Sequence, residues 1–157
     1  LAAEPRLILL CGLPGSGKTT VARELARSHR ALRFSPDEWM TALEIDGYDQ
    51  AARQRIEDLQ WTVAEEALRA GTTVVIEWGL WTRADRDMMR ARGRAVGVPV
   101  ELHYLDVPID TLWERLAARN ADRPSGSFVV ARNDLVEWAD AFEAPSAEEM
   151  SEFDPPA

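Results

Sequence analysis

The sequence is poor in the residues that would mark a disulfide-stapled, metal-clustered or membrane-spanning protein. One cysteine, Cys11, stands in 157 residues. That excludes a disulfide framework and a Cys-rich metal site, and it fits a reducing cytoplasm. The two histidines, His29 and His103, lie far apart without ligand-spaced partners. No apolar run approaches the roughly 18 residues of a membrane span. The run Leu7 to Leu10 is too short for a signal-peptide core, and no basic stretch precedes it. The chain opens on Leu1 rather than Met, which leaves its true start open. Positive charge is scarce as well: 18 Lys and Arg face 27 Asp and Glu, for a net charge of -9. Such a balance disfavours a non-specific grip on nucleic acid, which needs clustered cations. A local basic cleft stays open to it.

What is present is enough for one domain over residues 1–157, with 46% apolar residues to fill a core. Residues 6–11 form an unalternating apolar run, the pattern of a central parallel strand covered on both faces. Residues 17–28 read as a helix, with Val21, Ala22, Leu25 and Ala26 on one face. A short strand over 32–35 leads into Ser35-Pro36-Asp37, a favoured N-cap followed by proline at the first helical position. Residues 51–70 predict a long helix with Ile56, Leu59, Val63 and Ala67 on its apolar stripe, ending at Gly71. The β-branched run 72–76 predicts a third strand. A charged helix over 83–96 stops at Gly97 and Pro99, and a fourth strand covers 100–105. Helices follow over 109–120 and 132–142, with Gly126 in the loop between them. The acidic tail, about 146–157, is expected to fray. Strands alternating with helices predict an α/β layer fold with a mainly parallel sheet.

One motif carries chemistry by itself. Gly12-Leu13-Pro14-Gly15-Ser16-Gly17-Lys18-Thr19 matches G-x-x-x-x-G-K-[ST], directly after the first strand, and Thr20 continues into the helix. Backbone N–H groups must converge on phosphate oxygens, and a side chain in the loop would obstruct them. The helix that follows adds its unpaired N–H donors and the positive end of its dipole. Lys18 is placed to reach the β- and γ-phosphates of ATP, and Thr19 to offer its hydroxyl to Mg²⁺. The fold class expected is therefore a three-layer α/β/α P-loop NTPase.

Three further stretches, in order, resemble a family of small P-loop kinases that includes chloramphenicol phosphotransferase and the kinase domain of phage-type polynucleotide kinase. The matching segments run from Leu7 to about Glu149. The first is Phe34-Ser35-Pro36-Asp37-Glu38-Trp39. The resemblance implies that Asp37 accepts the proton of an acceptor hydroxyl; the alternative is support of a helix N-terminus. The second is Val74-Val75-Ile76-Glu77-Trp78-Gly79, followed by Thr82 and Arg86. Glu77 stands where the family usually has Asp, which implies a role in holding Mg²⁺ or the acceptor; the alternative is a capping or salt-bridging Glu. Arg86 belongs either to the substrate pocket or to an exposed helix surface beside Asp85 and Asp87. The third is Leu112 to Arg123, where the family has a basic lid, here about 115–130. Arg115, Arg119 and Arg123 recur every four residues on one helical face, and guanidinium forks fit phosphate oxygens. The alternative is a solvated face paired with Glu114 and Asp122. Phe142-Glu143-Ala144-Pro145 resembles the family's terminal segment near the adenine.

Trp39, Trp78 and Trp81 fall near carboxyl ends of strands, on the expected substrate side. Trp61 lies off the predicted stripe and could face the cleft too. An aromatic pocket suits a flat or sugar-bearing acceptor. Trp113 and Cys11 read as core residues. Together these features imply a cytoplasmic ATP- and Mg²⁺-dependent phosphotransferase acting on a small-molecule hydroxyl, with antibiotic modification as one case. Two other readings stay in view. One is a polynucleotide 5′-hydroxyl kinase, against which stand the net charge and Met40, where the phage-type enzymes carry Arg. The other is a nucleotide-binding regulatory module with little transfer activity. Oligomeric state is not legible.

Overall fold

A computed structural model describes residues 3–122 and 128–157. Four parallel strands form one sheet in the order β2-β3-β1-β4: β1 (Leu7–Cys11), β2 (Leu32–Phe34), β3 (Val74–Gly79) and β4 (Val100–Tyr104). The helices are α1 (Lys18–His29), α2 (Pro36–Ala42), α3 (Gln50–Arg69), α4 (Arg83–Val96), α5 (Ile109–Asp122), α6 (Arg132–Ala141) and the short α7 (Ala147–Met150). Leu7, Ile8 and Leu9 of β1 pair with Val74, Val75 and Ile76 on one side and with Val100, Glu101 and Leu102 on the other.

Every residue of β1 is buried, and its alternating side chains feed two separate clusters, as the period of two requires. Leu7, Leu9 and Cys11 join Val74 and Ile76 under Trp61, Ala64 and Leu68 of α3 and Met89 of α4. Ile8, Leu10 and Val75 point the other way, onto Ala22 with Val21, Leu25 and Ala26 of α1. A third cluster joins Leu112 and Leu116 of α5 to Leu135 of α6, with Leu13 from the loop after β1 packed on it. Helices therefore cover both faces of the sheet, and the carboxyl ends of all four strands open toward one edge, where ligands bind in such folds.

The local signals work as the residue types dictate. Ser35 caps α2 by accepting from Glu38 N, with Pro36 at the first position. Thr82 and Asp85 form a reciprocal capping box at the start of α4. Three expectations are corrected. The buried stripe of α3 is Ala52, Ile56, Gln60, Trp61, Ala64 and Leu68, whereas Leu59 is 55% exposed and Val63 is exposed as well. Trp61 is thereby a core residue, because a helix of this amphipathicity buries its large indole in preference to the smaller aliphatics. Strand β3 extends through Gly79 rather than stopping at residue 76, so Glu77 and Trp78 lie within it. The acidic tail is docked rather than frayed: Phe153 is buried, Asp154 N donates to Val100 O at 2.8 Å, and Val100 N donates to Asp154 Oδ2 at 2.8 Å. These bonds satisfy backbone groups on β4, which is an outer strand of the sheet. Among the described residues, no helix is long and apolar enough to cross a membrane.

Candidate active site

The loop between β1 and α1 is anchored by Gly12 N donating to Gly79 O at 3.0 Å. Two glycines are required by contact. A Cβ at Gly12 would lie 2.7 Å from Ser16 Oγ, and one at Gly15, where φ is +85°, would lie 2.9 Å from Leu112 O. Helix α1 opens on Gly17 at φ 94°, with no side chain capping its N-terminal donors. Those donors are left to an incoming anion. Lys18 Nζ donates to the carbonyls of Gly12 and Leu13, both at 2.9 Å, and so lies back along the loop. Burial pulls its pKa down to about 8; the charges of Asp37 and Glu77 oppose that shift, and Arg119 adds to it. Lys18, Asp37 and Glu77 all lie at or just past the carboxyl ends of β1, β2 and β3, and the charges of Asp37, Glu77 and Arg119 act on Lys18.

Thr19 donates its hydroxyl to Glu77 Oε1. The other oxygen of Glu77 accepts from Arg33 Nη1 at 2.8 Å, and Arg33 Nη2 donates to Glu38 Oε2 at 2.5 Å. Glu38, in turn, meets Arg23 at 2.9 Å. Asp37 sits one residue inside α2, its side chain 40% exposed, with Oδ1 2.7 Å from Arg53 Nη1. On the α5 side, Arg119 is half-buried. Burial lowers its pKa, with Asp37 opposing, and its Nε is enclosed without a partner among the described residues. Arg115 is exposed, and its Nη1 donates to Gly15 O at 3.3 Å. Arg123 and Gly126 lie outside the described residues.

Of the other predicted residues, Trp81 stays beside the loop: its Nε1 would lie 3.0 Å from a Cβ on Gly79, whose carbonyl accepts from Gly12 N. Arg86 is 0% exposed and makes a two-pronged bond to Glu149, with Nη1 also donating to Leu80 O at 2.9 Å. It faces neither a substrate pocket nor solvent, because it is sealed between α4 and α7. Trp39 is wedged between two core clusters, 6.1 Å from the Phe34 ring, so it packs rather than lining an open pocket. Trp78 donates its indole N–H to Gln60 Oε1 at 2.9 Å. Trp81 lies 5.6 Å from Trp138, which lies 6.0 Å from Tyr48, itself 5.5 Å from Phe128. Cys11 is buried, and burial pushes its thiol up to about 11, which fits a packing role.

The sequence reading missed Arg33, Arg53, Glu57 and the Tyr48–Trp138 aromatic line. Glu57 lies one turn after Arg53 on α3; burial raises its carboxyl to about 7, and Asp85, Asp58 and Asp37 push the same way against Arg53. The spacing of Arg53 and Glu57 was a readable signal, but nothing in the chain names the partners they meet across the cleft. Beside the loop, Leu13, Ser16, Tyr104, Val107, Leu112 and Phe142 line a cavity of about 170 Å³. The Tyr104 and Phe142 rings stack there at 5.9 Å.

Four parallel strands covered by helices on both faces, with a phosphate-type loop ending the central strand, define a protein with the fold of the P-loop kinases. The chain belongs to the AAA domain family, whose model matches residues 7–145. It is 33% identical over 121 residues to a shikimate kinase of Aromatoleum aromaticum, an alignment covering 69% of this chain and 62% of that protein. The fold is similar to that of a chain in the Pnkp1/Rnl/Hen1 RNA repair complex (TM-score 0.76, 20% identity, 98% of this chain and 48% of the other). A gluconokinase from Sinorhizobium meliloti is similar too (TM-score 0.62, 21% identity, 92% and 78%). The chain thus spans less than two thirds of the shikimate kinase and about half of the RNA-repair chain.

Proposed function

We propose that the protein transfers the γ-phosphoryl group of ATP to a hydroxyl of a small molecule. The observation that carries this reading is the position of Asp37: it stands just past the carboxyl end of β2, in the first turn of α2, with its side chain 40% exposed, and its charge opposes the lowering of both the Lys18 and the Arg119 pKa by burial. A loop alone binds a nucleotide; a carboxylate opposite it supplies a proton acceptor. The triphosphate rests on backbone N–H groups of Gly15, Gly17, Lys18 and Thr19, with Lys18 leaving the loop carbonyls for the β- and γ-oxygens. The cavity lined by Tyr104 and Phe142 seats the base. The acceptor oxygen forms a bond to the γ-phosphorus as the bond to the β–γ bridging oxygen breaks, and the acceptor proton goes to Asp37. Arg119 offsets the charge that spreads over the equatorial oxygens; Arg115, and Arg123 in the expected lid, are its neighbours in that task.

A hydroxyl and a carboxylate side by side, Thr19 and Glu77, are hard oxygen donors suited to Mg²⁺ held mainly by phosphate and water. Bound there, the ion would offset negative charge on the phosphates.

The relatives act on chemically different acceptors, shikimate, gluconate and RNA by their names, so the acceptor here is assigned only as a hydroxyl compound. Hydroxylated antibiotics belong among the candidates. The fold match to an RNA-repair chain keeps a polynucleotide 5′-hydroxyl in the test, although the net charge of -9 opposes it. Radiolabel transfer from [γ-³²P]ATP is measured over hydroxylated metabolites, antibiotics and a 5′-hydroxyl oligonucleotide. The reading expects one small molecule to be labelled, with loss of at least about 100-fold in rate for Asp37→Asn. Full activity of that variant overturns the assignment of the base. ATP binding with no labelled acceptor and no turnover would favour a regulatory nucleotide switch instead.

A further inference from the structure

Asp37 does not face the cleft with both oxygens alike. Its Oδ1 is sealed from water and lies 2.7 Å from Arg53 Nη1, an ion pair without the alignment of a hydrogen bond, while the side chain as a whole is 40% exposed. The exposure therefore belongs to the rest of the side chain. One carboxylate oxygen is covered by a guanidinium.

Arg53 is itself held by groups that owe nothing to Asp37. It stands in the first turn of α3, where Asp49 caps the helix by accepting from Ala52 N at 2.9 Å. Its Nη2 donates to Gly47 O at 3.1 Å. Its Cζ lies 5.7 Å from the centre of the Phe128 ring. Phe128 packs so tightly on Gly47 that any Cβ there would fall 2.3 Å from the ring. Tyr48 closes the same corner, donating its hydroxyl to Asp134 Oδ2 at 2.8 Å and lying edge-on to Phe128. A guanidinium held at two points, the Gly47 carbonyl and the Phe128 ring, is a stiff reference for a carboxylate.

We propose that Arg53 is a positioning residue for Asp37: it fixes one carboxylate oxygen, keeps the group in place across the cleft and leaves Oδ2 to take the acceptor proton. This rests on the kinase reading above and adds a residue to it. It also separates two roles open to an arginine beside an acceptor site. An arginine that binds an anionic acceptor acts on KM and works without Asp37. An arginine that aims the base acts on kcat and works only through Asp37.

The test is a double-mutant cycle in turnover with Arg53→Gln, Asp37→Asn and the pair, using the best acceptor of the panel, or water through ATP hydrolysis if none is labelled. Binding of a non-hydrolysable ATP analogue and the thermal midpoint are measured beside it. Arg53→Gln is expected to lower kcat about 10- to 100-fold with acceptor KM changed less than about threefold. In the Asp37→Asn background the same change is expected to add less than about threefold. Arg53→Lys, which keeps the charge without the fork, recovers part of the rate. Should Arg53→Gln not fold, Arg53→Lys and Phe128→Leu carry the cycle, each lowering kcat and each silent in the Asp37→Asn background. An equal loss with and without Asp37, or a rise in KM at unchanged kcat, overturns the proposal. Absence of any ATP turnover by the wild-type protein counts against the kinase reading itself, a different outcome from either.

Discussion

Thr19 and Glu77 meet across the seam between β1 and β3, the hydroxyl that opens α1 donating to the carboxylate that nearly ends the strand. Arg33 holds the other carboxylate oxygen from β2. The contact joins three strand ends into one rim and puts a negative charge beside the phosphate loop. That charge suits a bound cation and repels a bare triphosphate. Glu77→Gln is therefore expected to raise the Mg²⁺ concentration for half-maximal ATP turnover about tenfold. Metal-free ATP is expected to bind as well as before, or better. Titrations of activity against Mg²⁺ and of ATP binding in chelator check both, and an unchanged Mg²⁺ requirement sinks the assignment.

Lys18 carries a pH signature. Its pKa in the free protein is lowered by burial to about 8, whereas a triphosphate at its side favours the charged form. Binding must take up a proton wherever the free ammonium has lost one. ATP affinity should hold steady below pH 8 and fall toward about tenfold per pH unit above it. Calorimetry at pH 8.5 in buffers of different ionisation heat should show proton uptake. A flat affinity from pH 7 to 9.5 contradicts this.

Glu57 makes a stability prediction of opposite form. Its folded pKa is raised from 4.5 to about 7, with burial the leading cause and Asp85, Asp58 and Asp37 adding to it. The folded state holds this proton more tightly than the unfolded chain, so stability falls as pH rises from about 4.5 to 7 and stays low above. Glu57→Gln removes the penalty. It is expected to raise unfolding free energy at pH 8 by on the order of 1–2 kcal/mol, allowing for partial exposure, with little gain at pH 4.5. Urea titrations at the two pH values measure the difference; an equal effect at both rejects the cause given.

Arg86 and Glu149 form a buried pair that ties α7 to α4 and, through Leu80 O, to the turn after β3. Leu80 itself has φ 49°, a conformation held by its surroundings. Removing one partner leaves a buried charge, so Glu149→Ala should destabilise the fold by about 3–5 kcal/mol. The double change Arg86→Met with Glu149→Met should cost less than the single one. Chemical denaturation of the variants decides it, and an additive double mutant argues against a direct pair.

The strands and helices were legible because their signals are local. The apolar run at β1, the Ser35-Pro36 start of α2 and the Thr82 capping box each need only a few neighbouring residues. The glycine-rich loop was legible for the same reason, since its ligand is bound by consecutive backbone groups. The stripe of α3 was misread because Leu59 and Val63 are as apolar as Ile56. What chose between faces was Trp61 and Gln60 meeting β3, contacts that periodicity alone does not contain. The tail was misread because its anchor is an outer strand about fifty residues earlier in the chain.

The role of Arg86 shows the same boundary from the other side. Flanked in sequence by Asp85 and Asp87, it reads as a surface or pocket arginine, yet its partner is Glu149. The sequence by itself determined the succession of strands and helices along the chain and the phosphate loop, because each is encoded within one continuous segment. Only the tertiary structure decided that Arg53 covers one oxygen of Asp37, that Thr19 meets Glu77 and that Arg86 is withdrawn into the core. Those are relations between charged side chains far apart in the chain, and the energy of such a pair depends on distance and burial, which residue order does not specify.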